Sequence, residues 1–95
     1  MNPTISIAAS GHVTIDFGAY DSELYQRACA TLEVALGFVR QGKTVFGLEQ
    51  GVEPSFLRDE VEISTGWDNW SGRYLLANSD PGDAILRHLH ADLLS

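Results

Sequence analysis

Apolar residues recur with the period of an α-helix between residues 22 and 41, and this pattern constrains the fold more than any other feature of the chain. The residues on or beside this apolar face are Leu24, Tyr25, Ala28, Cys29, Thr31, Leu32, Ala35, Leu36 and Val39. Asp21 or Ser22 is placed to cap the start of such a helix, and Gly42 is placed to end it. Because so wide an apolar face needs a second layer to cover it, the pattern predicts a helix packed on a β-sheet.

Five further segments have the alternation or the composition of β-strands. They are residues 4–8, 12–17, 44–49, 56–64 and 73–77. Ser10-Gly11 predicts a hairpin turn between the first two segments. Gln50-Gly51 together with Pro54 predicts another turn, before the fourth segment.

A second helix is predicted from Asp80, where an acid at the cap is followed by Pro81 at the first helical position. The order of elements is then ββαβββα, and a chain of 95 residues forms a single domain. We therefore expect an α+β fold in which a mostly antiparallel five-stranded sheet carries two helices on one face. The other face of that sheet is expected to stay open to solvent or to a partner.

The chain carries 13 acidic and 6 basic residues, a net charge of −7 at neutral pH. Nucleic acids and anionic membranes bind basic surfaces, so neither is expected as a direct partner. The N-terminus lacks the basic and apolar regions of a signal peptide, and no segment approaches the roughly 20 apolar residues of a membrane span, so we expect a cytoplasmic protein. Lys43 is the one lysine. The other five bases are arginines, which suit fixed, bidentate pairing with carboxylates, so some of them are expected to be paired internally and to leave the uncompensated acids to define the field.

No pattern for a cofactor, a metal or a catalytic nucleophile stands out. Cys29 is the one cysteine, so it forms no internal disulfide, and it lies on the apolar side of the first helix, where a thiol is usually inert. His88 and His90 lie about 200° apart around a helix and so cannot converge on one metal ion. There is also no glycine-rich phosphate loop. We therefore expect a protein that has no cofactor, no metal and no enzymatic activity.

Acidic residues concentrate between residues 49 and 68, which hold six acids against Arg58 alone. The acids expected to bind a partner are Glu53, Asp59, Glu60, Glu62 and Asp68. Glu60 and Glu62 are predicted to project from one face of one strand, about 7 Å apart. A stripe of this kind steers a basic partner. The alternative interpretation is a solvated strand face that keeps the protein soluble.

The stretch GWDNWSG places Trp67 and Trp70 beside a turn. If the segment is extended, the two positions have opposite parity and their side chains point to opposite faces. One tryptophan is then expected in the core, and the other is expected to anchor a partner, since tryptophan is enriched at binding hot spots. The alternative is that both are core residues.

The last third of the chain, GWDNWSGRYLLANSDPGDAILRHL, resembles the immunity proteins of bacterial polymorphic-toxin and contact-dependent inhibition systems. The resemblance concerns the class of protein and assigns no individual residue. It implies a tight cytosolic inhibitor of a cognate toxin, commonly a basic nuclease whose active cleft the acids would cover.

The leading hypothesis is therefore a small acidic protein that neutralises a basic protein partner. Two alternatives stay open. One is a phage-encoded inhibitor or DNA mimic that acts on a host defence protein. The other is a homo-oligomeric structural or small-ligand-binding module whose open sheet face packs against a second copy. The free protein is expected to be a monomer or a homodimer.

Overall fold

The computed structural model describes residues 3–18, 22–69 and 72–94. Within these ranges the chain forms seven β-strands, two α-helices and one π-helical turn. The strands are β1 (Thr4–Ile7), β2 (Val13–Asp16), β3 (Val39–Gln41), β4 (Val45–Phe46), β5 (Gln50–Arg58), β6 (Val61–Asp68) and β7 (Gly72–Ala77). The helices are α1 (Glu23–Ala30) and α2 (Asp80–Leu93), and the π-helical turn (Thr31–Ala35) directly continues α1.

The strands form one antiparallel sheet in the order β1-β2-β7-β6-β5-β3, and β4 pairs with β5 alongside β3. Because β3 and β4 share one edge of β5, the sheet is six strands wide, and β1 forms its other edge. The α+β class and the antiparallel pairing are confirmed. The predicted count of five strands and the order ββαβββα are wrong, because β3 and the hairpin between β5 and β6 were not foreseen.

Both helices pack on one face of the sheet, as predicted, and a single core lies between the two layers. The sheet contributes Val13, Ile15, Phe56, Ile63, Leu75 and Ala77 to this core, and the helical segments contribute Tyr25, Ala28, Leu32, Leu86, Leu89 and Leu93. We call this side the helix-covered face and the opposite side the open face. Successive side chains along each strand point to opposite faces of the sheet, so the neighbours of the core residues project from the open face.

The first helix is shorter than its periodicity predicted, and Val39–Gln41 is a strand rather than a last helical turn. Gly37, not Gly42, ends the helix, because its φ of 74° is left-handed. The backbone N–H of Phe38 then donates to the carbonyl of Leu32 at 2.9 Å, a bond one residue wider than that of a Schellman cap because the preceding turn is π-helical. Phe38 is buried in the core, so the chain turns back toward the sheet at this point.

The single strand predicted over residues 56–64 is wrong, because Asp59 and Glu60 form the two-residue turn between β5 and β6. Asp59 has a φ of 54°, a left-handed conformation that aspartate adopts more readily than most residues. The prediction that Glu60 and Glu62 project from one strand face is therefore also wrong. Glu60 lies in the turn, and Glu62 lies in β6.

The turn predicted around Gln50-Gly51 and Pro54 is instead part of β5. A β-bulge lies between Glu53 and Phe56, and Pro54 occupies it. A bulge tolerates proline because the ladder of hydrogen bonds is interrupted there. Its extra residue also lets Glu53 and Phe56, three positions apart, project from the same face.

The second helix begins as predicted, but its cap is Ser79 rather than Asp80. The Ser79 hydroxyl oxygen accepts a backbone N–H of the first turn at 3.3 Å. Asp83, also in that turn, accepts the backbone N–H of Val13 at 2.8 Å, and its other oxygen lies 3.0 Å from Nδ1 of His12. These bonds tie the start of α2 to the start of β2.

Candidate functional site

The open face of the sheet is the candidate functional site. Its acidic side chains are Asp16 in β2 and Glu62 and Asp68 in β6. In the part of the chain that the structure describes, no arginine or lysine stands on this face. Lys43 lies in the loop between β3 and β4, at the edge of the sheet.

The arginines lie on the helix-covered side. Arg27 and Arg87 belong to the two helices. Arg40, Arg58 and Arg73 project from their strands toward the core, where each guanidinium carbon lies over an aromatic ring, 4.3, 4.9 and 5.2 Å from its centroid. Arg73 also pairs with the carboxylate of Glu53, as expected of an internally paired arginine. Arg40 and Arg58 instead donate to the carbonyls of Pro54 and Leu36, respectively. The open face consequently carries acids and none of the arginines, whereas the helix-covered side carries both the arginines and the acids of the two helices.

Tyr74 lies between two of the open-face acids. It pairs with Asp16 across β2 and β7, and it is one diagonal position from Asp68 in β6. Burial, and then the charge of Asp68, raises the pKa of the Asp16 carboxyl above its usual range. The same two causes raise the pKa of the Tyr74 hydroxyl. Ionisation of Asp16 and Tyr74 is therefore unfavourable, and a cation bound beside them would make it more favourable.

Four aliphatic side chains form an apolar corner on the same face, beside the acids. The corner consists of Val39, Val45, Val52 and Leu57. Val39 pairs with Leu57, and Val45 pairs with Val52. The three valines are 61%, 60% and 47% exposed, in chain order. Two exposed aliphatic pairs along one edge of the sheet are more informative than single exposed apolar residues.

Glu53, one of the predicted partner-binding acids, lies on the helix-covered face. Its Oε2 forms an ion pair with Nη1 of Arg73, and the hydroxyl of Tyr25 lies 3.5 Å from the same oxygen. Tyr25 also lies 2.6 Å from the hydroxyl of Thr65, which itself donates to the Tyr74 carbonyl. Because Thr65 uses its proton in that bond, Tyr25 donates to Thr65. Glu53 thus belongs to an internal polar cluster.

Trp67 also lies on the helix-covered face, half-buried in β6. Its indole lies against Gly51, the residue it pairs with in β5, and a Cβ on Gly51 would collide with the ring. Asp68, the next residue, projects to the open face. Trp70 lies outside the described residues. The structure therefore places Trp67 and the acid beside it on opposite sides of the sheet.

Asp59 and Glu60 are exposed at the tip of the β5–β6 hairpin, and they border the open face near Glu62. Glu62 accepts a hydrogen bond from Nδ2 of Asn78 at 3.2 Å. Of the five predicted acids, Glu62 and Asp68 thus share the open face, Asp59 and Glu60 border it, and Glu53 lies on the helix-covered face. Sequence reasoning missed Asp16, although the alternation of β2 already placed it opposite the core residues.

Two concave regions lie on the helix-covered side. A polar cleft of about 350 Å³ beside α1 is lined by Ser22, Tyr25, Gln26, Cys29, Ala30, Glu33, Arg40, Glu53 and Arg73. Burial raises the pKa of the Cys29 thiol, which lowers its thiolate fraction. A more apolar groove of about 440 Å³ lies between the π-helical turn and α2.

Three potential metal ligands, which the sequence did not predict to be neighbours, also lie close together. One ligand atom each of His12, Asp80 and Asp83 lies within 4.8 Å of the others. Both oxygens of Asp83 are already engaged, by His12 and by the Val13 N–H, and a helix N-terminus favours anions over cations. The hydrogen bonds that join α2 to β2 therefore explain why these side chains lie together.

Among the described residues, no helix combines the length and the apolar character needed to cross a membrane. Comparison with known proteins found no match to this chain among protein-family models, curated proteins or solved structures.

Proposed function

We propose that this protein binds a basic protein partner through the open face of its sheet and thereby neutralises it. The observation that carries the proposal is the single sign of charge on the open face. Asp16, Glu62 and Asp68 stand on the open face, whereas all five arginines lie on the other side. A face with one sign of charge steers an oppositely charged partner and excludes partners of its own sign.

The partner that fits best is a bacterial toxin, and the proposed role is that of its immunity protein. A cytosolic nuclease toxin needs a basic cleft to hold phosphates, and an acidic sheet face is complementary to such a cleft. The resemblance of the last third of the chain to immunity proteins supports this choice over other basic partners. The same charge works against burying the open face in a second copy, because like charges would then face each other.

The proposal is tested by capture followed by a growth assay. The protein is immobilised and exposed to lysate of its source cells, alongside two variants with equal changes of charge. Glu62→Lys reverses an exposed acid on the open face, and Asp92→Lys reverses an exposed acid on α2. We expect a basic protein to bind the wild type and Asp92→Lys, and to bind Glu62→Lys much less.

The captured protein is then expressed in bacteria with and without this chain. Arrested growth that coexpression restores is the result expected of a toxin and its immunity protein. A captured protein that is acidic, or that binds both variants equally, would contradict binding through the open face. A basic partner that does not arrest growth would contradict the immunity role.

A further inference from the structure

The apolar corner lies at the side of the acidic face, and its position there is informative about the partner. Val39 and Leu57 form one end of the corner, and Val45 and Val52 form the other. The bulge in β5 separates the two ends without changing the face from which they project. The corner is therefore a strip two strands wide along one edge of the sheet, with the paired residues Gln41 and Ser55 between its two aliphatic ends.

Each end of this strip has an acid beside it on β6. Glu62 pairs directly with Leu57, and Asp68 is one diagonal position from Val52, which pairs with Gly66. Diagonal neighbours in a sheet lie about 7–8 Å apart, within reach of a long side chain. The two acids are six positions apart in β6, which corresponds to about 20 Å along the strand.

We infer that the apolar corner is where the partner makes its closest contact, and that the partner presents aliphatic side chains flanked by lysine or arginine. This inference rests on the proposed function. Charge complementarity selects such an occupant, because a purely apolar segment would leave Glu62 and Asp68 against an uncharged surface. A purely cationic segment would leave the three exposed valines uncovered. Protein interfaces combine apolar contacts with polar contacts at their margin, and this strip offers an apolar contact with acids along its β6 side.

The inference also assigns different tasks to the two kinds of residue. The acids accelerate the encounter, whereas the valines and Leu57 slow dissociation by excluding water from the contact. Trp67 is not part of this contact, since it lies on the helix-covered face.

The test uses two peptide probes and the full chain labelled for NMR. One probe is an octapeptide of alternating lysine and leucine, and the other is tetralysine, which carries the same number of side-chain charges. We expect the octapeptide to shift the amide signals of Val39, Val45, Val52 and Leu57 and of the acids on β6. We expect it to bind at least about fivefold more tightly than tetralysine, because only the octapeptide covers the apolar corner.

A pair of variants isolates the corner from the charges. Val45→Ser with Val52→Ser removes aliphatic groups from the corner, while Val34→Ser removes an 85% exposed valine from the π-helical turn. The double variant should lose most of the advantage of the octapeptide over tetralysine, and Val34→Ser should keep it. Unchanged thermal unfolding of both variants confirms that the fold is intact.

The possible failures are distinguishable. If tetralysine binds the open face as tightly as the octapeptide does, the apolar corner contributes nothing and this inference is wrong, while the proposed basic partner stands. If neither peptide shifts signals of the open face, both the inference and the proposed function are contradicted.

Discussion

The residues that define the two faces of the sheet are neighbours in sequence. Trp67 and Asp68 are adjacent in β6, yet one covers Gly51 on the helix-covered face and the other stands on the acidic open face. Side-chain alternation alone causes this separation. A glycine opposite a tryptophan has a physical reason here, because the indole occupies the space where a side chain would lie.

Replacing Gly51 by alanine should therefore destabilise the protein by about 1–3 kcal/mol, the usual cost of overpacking. The loss of unfolding free energy caused by Gly51→Ala should depend on the presence of Trp67. In a Trp67→Ala background the collision is absent, and Gly51→Ala should be close to neutral, since glycine in a strand is itself unfavourable. Urea unfolding of the four proteins measures this coupling. An equal loss of unfolding free energy in both backgrounds would show that the indole is not packed on Gly51.

At the scale of elements, the two helices and the outer strands were predictable, whereas the middle of the chain was not. The alternation of β2 and the proline and acids at the start of α2 are local signals, and they gave correct elements. The end of α1 was misplaced because Gly37 and Gly42 are both possible stops. The choice between them depends on burying Phe38, which is a tertiary effect.

The β5–β6 hairpin was missed for a similar reason. Its turn, Asp59-Glu60, lacks the glycine that usually marks a two-residue turn. The prediction that Glu60 and Glu62 share one strand face was wrong for the same reason, since it requires an unbroken strand. The open face itself was predicted, because an antiparallel sheet with helices on one side leaves the other uncovered.

The tie between α2 and β2 gives a prediction for pH dependence. The hydrogen bond with His12, and then that from the Val13 N–H, lowers the pKa of the Asp83 carboxyl below its ordinary value of 3.8. The ionised carboxylate therefore stabilises the fold above pH 3.8, and this contribution disappears as the pH falls through the lowered pKa. Asp83→Asn should be less stable than the wild type at pH 6.

The difference in unfolding free energy between the two proteins should then shrink as the pH is lowered from about 4 toward 2. Chemical denaturation at a series of pH values provides the measurement. A difference that stays constant over this range would mean that the charge of Asp83 does not contribute to the tie.

The molecule as a whole is organised by the distribution of its charge rather than by its net value. Thirteen acids against six bases would repel other acidic molecules from every direction if they were evenly spread. Instead Arg40, Arg58 and Arg73 pack against aromatic rings, one carboxylate and backbone carbonyls on the helix-covered side. The open face is left with negative potential and an apolar corner, which together suit a basic protein surface.

The most direct test of this account is the rate at which the captured partner associates with the protein at low ionic strength. Glu62→Lys and Asp92→Lys change the net charge equally, but only the first alters the open face. We predict that Glu62→Lys slows association by roughly threefold or more, that added salt reduces this effect, and that Asp92→Lys leaves the rate nearly unchanged. Equal slowing by the two variants would show that net charge alone attracts the partner and that the open face is not the binding surface.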